Sequence, residues 1–248
     1  MSYRQRARDV LLERLPVSGA RKVFCLSLPK SGTSSFKDYA VAGGLTIAGS
    51  GAVHEFLQEP EETQFDRFIE VVTHRLGDRD AFRDQPWGFF ADVWREKFPD
   101  ARYVILRRPF ESWFKSFRYH ILGKPETTVF LREFLGVPRD DAEEDVFRAA
   151  YAAHYAFCAE ATAGAAALTI ELEEEDDASI CGKLNDFLGL SVAEFPHTFK
   201  HQNALLYQVR SALTEGRDAR AIREKYLAIH GEDDASTRAA ELIRKAQV

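Results

Sequence analysis

Three short apolar runs punctuate this chain. Each is followed by a polar turn and then a helical pattern. Residues 23–28 (VFCLSL) have the length and continuity of a buried strand, and residues 101–106 (ARYVIL) and 167–172 (ALTIEL) read as two further strands. Pro29 ends the first run, because a proline cannot donate to a central ladder. Helical spacing begins at once and continues to Ala42, where Gly43 and Gly44 close it. Residues 45–48 read as a further short strand.

Other stretches carry helical periodicity. Residues 3–15 form a weakly amphipathic helix, and residues 61–76 place Phe65, Phe68, Ile69 and Val72 on one stripe. A polar stretch ending in Asp84-Gln85-Pro86 interrupts the pattern, which resumes through Phe89, Phe90, Val93 and Trp94. Helices are expected at 111–122, 126–136, 143–163 and 180–188, and residues 203–246 read as mainly helical and strongly charged. Strands alternating with helices predict an α/β fold. It should have three layers (α/β/α), a central, mostly parallel sheet, and a helical C-terminal region. The expected organisation is a single domain over residues 1–248, with about 203–248 as a helical extension.

Composition narrows the chemistry. With 45% hydrophobic residues in 248, the chain can build a substantial core. Its net charge of −6 argues against nucleic acid as a partner, so an anionic ligand would need a local basic pocket. Cys25, Cys158 and Cys181 are odd in number and lack metal-ligand spacing, which fits buried free thiols in a reducing compartment. No run approaches a membrane span, and the N-terminus lacks a signal-like apolar segment. The expectation is a cytoplasmic protein without metal.

The chemistry concentrates at residues 29–35, PKSGTSS. A strand, a tight turn with one glycine and a helix N-terminus leave free backbone N–H groups facing outward, where the helix dipole adds positive potential. Lys30 adds an ammonium, and Ser31, Thr33, Ser34 and Ser35 add hydroxyls, a set suited to phosphate or sulfate. The order is not that of a Walker A loop, since Lys30 precedes Gly32 and the earlier glycine is absent. A second anchor ends the ARYVIL run. Arg107 and Arg108 lie at the carboxyl end of a strand, where open α/β sheets bind ligands. Ser116 follows Arg108 by eight residues, about two helical turns, so the two can converge on one anion.

Residues 29–34 resemble the 5′-phosphosulfate loop of sulfotransferases that use 3′-phosphoadenosine 5′-phosphosulfate (PAPS), usually written P-K-x-G-T-[ST]. The Arg108/Ser116 pair resembles that family's 3′-phosphate motif. Pro109 directly follows Arg108, so counting from Pro109 selects Arg107, whereas counting from Trp113 and Ser116 selects Arg108. The segments DQP…FFADVWREKFPDARYVIL and TIELEEEDDASICGKLNDFLGL, and Phe195-Pro196-His197 with Asn203, also resemble family stretches, so the similarity spans about residues 22–203. The Arg-Lys-Gly and glycine-rich loop of cytosolic members is absent; His201, Lys200 and Arg210 are candidates to replace it.

The resemblance implies a P-loop-like fold and in-line sulfuryl transfer from PAPS, with adenosine 3′,5′-bisphosphate (PAP) as product. The acceptor would be a hydroxyl or amine of a small molecule, lipid or glycan. Lys30 would act on the bridging oxygen, while residues 31–35 would hold the 5′-phosphate. Three residues compete for general base: Glu55, His54 and Asp84; His74 falls within a predicted helix. Trp87, Trp94 and Phe89-Phe90 fit either an acceptor pocket or the core. Two other classes share the strand–loop–helix, a P-loop kinase or NTPase and a non-catalytic nucleotide-binding relative. A homodimer is left open.

Overall fold

The computed structural model describes residues 2–49, 61–122, 130–139, 141–196, 201–214 and 216–246. Five parallel strands form the sheet: β1 (Val23–Cys25), β2 (Ile47–Ala48), β3 (Ala81–Phe82), β4 (Arg102–Arg107) and β5 (Ala166–Glu171). Their order is β2-β3-β1-β4-β5. The three apolar runs are β1, β4 and β5, and residues 45–48 contribute β2. β3 is the strand that sequence periodicity does not show: its two residues, Ala81 and Phe82, are held by parallel pairing to β1 and β2 on either side.

Period-two geometry sends alternate side chains of the central strands to opposite faces. Phe24, Tyr103 and Ile105 join one core with Trp94, Trp113, Phe117 and Tyr155. Val23, Cys25, Val104 and Leu106 join another with Phe36, Tyr39, Ile180 and Leu184. Both faces are covered, which is the three-layer α/β/α arrangement expected.

Helices α1 (Tyr3–Arg14), α2 (Thr33–Ala42), α3 (Glu61–Asp78), α4 (Ala91–Lys97), α5 (Phe110–His120), α6 (Glu144–Ala161) and α7 (Asp177–Leu188) surround the sheet. Residues 130–135, expected within an α-helix, form a single π-helical stretch. Trp87, Phe89, Phe90 and Trp94 are core residues, buried to within 2%. The Trp94 indole donates to the Trp87 carbonyl at 2.7 Å. They therefore build the floor of the fold rather than an open acceptor pocket.

The C-terminal helices α8 (His201–Thr214), α9 (Ala219–His230) and α10 (Asp234–Lys245) share a separate apolar cluster of Leu205, Val209, Ala212, Tyr226, Ala239 and Ile243. Tyr119 of α5 enters that cluster and meets Tyr226 edge-on at 5.4 Å, while Lys225 Nζ donates to the Leu122 carbonyl at 3.1 Å. The helical extension is thereby fastened to the end of α5. No helix among the described residues is long and apolar enough to cross a membrane.

Candidate active site

Parallel strands end on one side of a sheet, so β1, β3, β4 and β5 deliver their following residues to the same edge. The chain leaves β1 through α2 on one face and leaves β4 through α5 on the other, because α2 supplies Phe36 and Tyr39 to one core and α5 supplies Trp113 and Phe117 to the other. Diverging connections open a crevice between adjacent strands. The loop after β1 and the arginine pair after β4 lie there.

The loop is strained in a specific way. Lys30 and Gly32 both have left-handed backbones, with φ of 73° and 77°, and Ser31 between them does not. Alternation of this kind turns successive N–H groups toward one concavity. Lys30 is an uncommon residue for that region, a conformation that gathers at ligand sites. A Cβ at Gly32 would also stand 2.7 Å from Leu172 Cδ1, so that side chain would have to shift. Gly32 is also the N-cap of α2 and has no side chain with which to cap the first turn. A helix N-terminus with its dipole at the crevice matches what an anion requires.

Several contacts fix the loop from beneath. The Ser31 amide donates to the Leu28 carbonyl at 3.1 Å, and the Trp113 indole donates to the Pro29 carbonyl at 2.9 Å. The Leu106 amide donates to Ser27 Oγ at 2.7 Å, so the side chain of Ser27 continues the β1–β4 ladder where β1 turns away. Ser31, Thr33 and Ser35 are all buried, and Ser31 has a partner in the core. Its Oγ lies 3.1 Å from the Tyr155 hydroxyl, which is also 3.1 Å from the Leu106 carbonyl. Ser31 thus faces the core, with its hydroxyl and its amide both engaged, whereas Thr33, Ser34 and Ser35 open the helix.

The two arginines part ways, as consecutive residues at a strand end must. Arg107 extends over the Tyr155 ring, 5.3 Å from its centroid, and pairs with Glu171 at 3.1 Å. Arg108 turns to the loop: its Nη1 donates to the Lys30 carbonyl at 3.3 Å. Its Nε and Nη2 donate to Glu173 Oε1 at 3.0 and 2.8 Å, and Ser112 donates to Glu173 Oε2 at 2.8 Å. Tyr151 anchors the backbone by donating to the Arg108 carbonyl. Ser116, half-buried, lies one helical turn beyond Ser112 on α5.

Of the base candidates, His54 and Glu55 lie outside the described residues. Asp84 follows β3 at the same sheet edge, 8% exposed, with a left-handed backbone and its carboxylate on Arg83. Both residues act on the Cys25 thiol across the adjacent strand. Burial pushes that thiol up to about 11, Asp84 adding and Arg83 opposing. His74 is on an exposed stretch of α3 near Asp78. Lys200 and the His201 side chain lie outside the described residues, and Arg210 is exposed on α8. Among the described residues no group of three His, Cys, Asp or Glu is arranged to hold a metal ion.

Sequence reasoning did not single out Glu171, Glu173, Ser112, Tyr155 or Arg83. Ser112 carries a signal: it stands four residues after Arg108 and four before Ser116, so both serines share a helix face. Nothing in the acidic turn separated Glu171 and Glu173 from their neighbours, because only the parallel pairing of β4 with β5 brings them opposite the arginines.

Residues 22–136 match the model of the sulfotransferase domain family. No curated protein matches the chain. A crystal structure of a sulfotransferase from Alicyclobacillus acidocaldarius superposes with a TM-score of 0.45 at 18% identity, covering 88% of this chain and 99% of that one.

Proposed function

We propose that this chain, whose residues 22–136 belong to the sulfotransferase domain family, transfers a sulfuryl group from PAPS to a hydroxyl or amine acceptor and releases PAP. The observation that carries this reading is the contact between Arg108 Nη1 and the Lys30 carbonyl, 3.3 Å. It supports a reading with two adjacent anion seats, which a nucleotide phosphorylated on both sides of its ribose needs and a simple nucleoside monophosphate does not.

In this reading the amides and hydroxyls at the start of α2 hold the 5′-phosphate. Arg108, with Ser116 of α5, holds the 3′-phosphate through charge-assisted hydrogen bonds. Ser31 is given a structural role, tying the loop to Tyr155. Lys30 opposes the charge that grows on the bridging oxygen as the sulfur–oxygen bond breaks. The acceptor gives up its proton to Asp84, His54 or Glu55; Asp84 is held at the sheet edge by Arg83. The acceptor is a small molecule, a lipid or a carbohydrate.

The test is calorimetry with PAP and 5′-AMP, paired with detection of PAP released from PAPS over a panel of hydroxyl and amine acceptors. PAP should bind at least tenfold more tightly, and some acceptor should accelerate its release. Equal affinity for the two nucleotides, or binding without transfer to any acceptor class, overturns the reading.

A further inference from the structure

Glu173 occupies the ligand-binding groups of the second anion seat. Its carboxylate takes two hydrogen bonds from the Arg108 guanidinium, at 3.0 and 2.8 Å, and a third from the Ser112 hydroxyl, at 2.8 Å. Arginine and serine donors converging on a pair of anionic oxygens are what a phosphomonoester would meet there. We infer that Glu173 is a built-in competitor for the 3′-phosphate, and that Ser112 binds that phosphate alongside Arg108. This rests on the nucleotide reading above.

The geometry makes the exchange feasible. The Glu173 side chain is 36% exposed and lies in the turn after β5, so it can swing into water when a phosphate arrives. Arg108 is 28% exposed and is held from the other side by the Lys30 carbonyl, so its guanidinium stays beside the loop when Glu173 leaves. A dianionic phosphate outcompetes a monoanionic carboxylate for the same donors, whereas an uncharged ribose hydroxyl does not. The competitor therefore keeps the arginine paired when no 3′-phosphate is bound, and it lowers PAP affinity by the cost of its own displacement while leaving nucleotides without that phosphate unaffected.

The experiment compares PAP and 5′-AMP affinities in wild type, Glu173→Gln, Glu174→Gln, and Glu173→Gln with Ser112→Ala, each checked for an unchanged unfolding temperature. Glu174 neighbours Glu173 and is exposed, so its variant controls for net charge. Glu173→Gln should tighten PAP about three- to tenfold, the range expected for freeing a partly exposed charge pair, and leave 5′-AMP unchanged. Glu174→Gln should do neither. Adding Ser112→Ala should return about the same factor. If Glu173→Gln leaves PAP affinity unchanged in a protein that prefers PAP, or tightens both nucleotides alike, the competitor is refuted and the nucleotide reading stands. If removing Ser112 leaves PAP affinity intact in the Glu173→Gln background, Ser112 holds only the glutamate. If every variant binds PAP no better than 5′-AMP, the nucleotide reading itself falls.

Discussion

The indole N–H of Trp113 donates to the carbonyl of Pro29 at 2.9 Å. One residue of α5 thus holds the first residue of the loop after β1, which ties together the two proposed anion seats. Trp113 is fully buried, so losing this bond would leave the Pro29 carbonyl unsatisfied in the core. Trp113→Phe should lower unfolding free energy by about 1–3 kcal/mol, from the orphaned acceptor and the lost ring volume. It should also weaken binding at both seats. Denaturant titration and calorimetry with PAP check this. Wild-type nucleotide affinity in a destabilised variant would show that the tie is structural only.

The arginines should differ. Arg108 faces the loop carbonyl of Lys30, while Arg107 lies over Tyr155 and on Glu171. Arg108→Ala should weaken PAP binding by roughly 1.5–3 kcal/mol, the worth of a hydrogen bond to a charged group. Arg107→Ala should cost PAP binding less. The reverse order in calorimetry would assign the 3′-phosphate to Arg107.

Lys30 sits at a left-handed position two residues before Gly32, the N-cap of α2. The amides of that helix can still hold a phosphate without it. Lys30→Ala should therefore reduce kcat by about 10²–10³ and nucleotide affinity much less, because a preorganised charge acts most on the transition state. Single-turnover transfer and PAP binding in the same variant separate the two effects. Loss of binding with an unchanged single-turnover rate at saturation would make Lys30 a binding residue.

His154 predicts an acid-sensitive fold. Burial, chiefly, pulls its pKa down to about 4 from 6.5; a hydrogen bond to the Leu26 carbonyl opposes this, and Arg4 adds to it. That 2.8 Å bond fixes Nε2 as the donor, leaving Nδ1 buried without a partner among the described residues. A folded-state pKa below the unfolded value means that the unfolded chain takes up the proton first. Stability present above pH 6.5 is then lost as pH falls toward 4, by on the order of 2–3 kcal/mol. His154→Gln should flatten that part of the profile. Denaturant unfolding of both proteins across this range checks it, and parallel profiles would refute the assignment.

Sequence alone determined much of this protein. The apolar runs at 23–28 and 101–106 became the buried strands β1 and β4 because a continuous apolar run of that length is stable between two covering layers, while 167–172 became β5 at the sheet edge, where Ile170 alone of the strand is buried. Pro29, Gly32 and the following hydroxyls marked the loop because turn and cap chemistry is local. Tertiary structure decided the rest. β3 exists because two flanking strands pair with its two residues, which no period within them could signal. Ser31 turned inward because Tyr155, 124 residues away in the chain, supplies its partner. The aromatic segment at 87–94 became core because it packs beneath β1 and β3, with Phe24 stacked on Phe82 and on Trp94. Which arginine faces the loop, and which glutamate meets it, followed from the register of β4 against β5. There Arg107 pairs with Glu171, placing Glu173 two residues further on, beside Arg108. Local chemistry is written in neighbouring residues, but which charges meet is decided by contacts across the sheet.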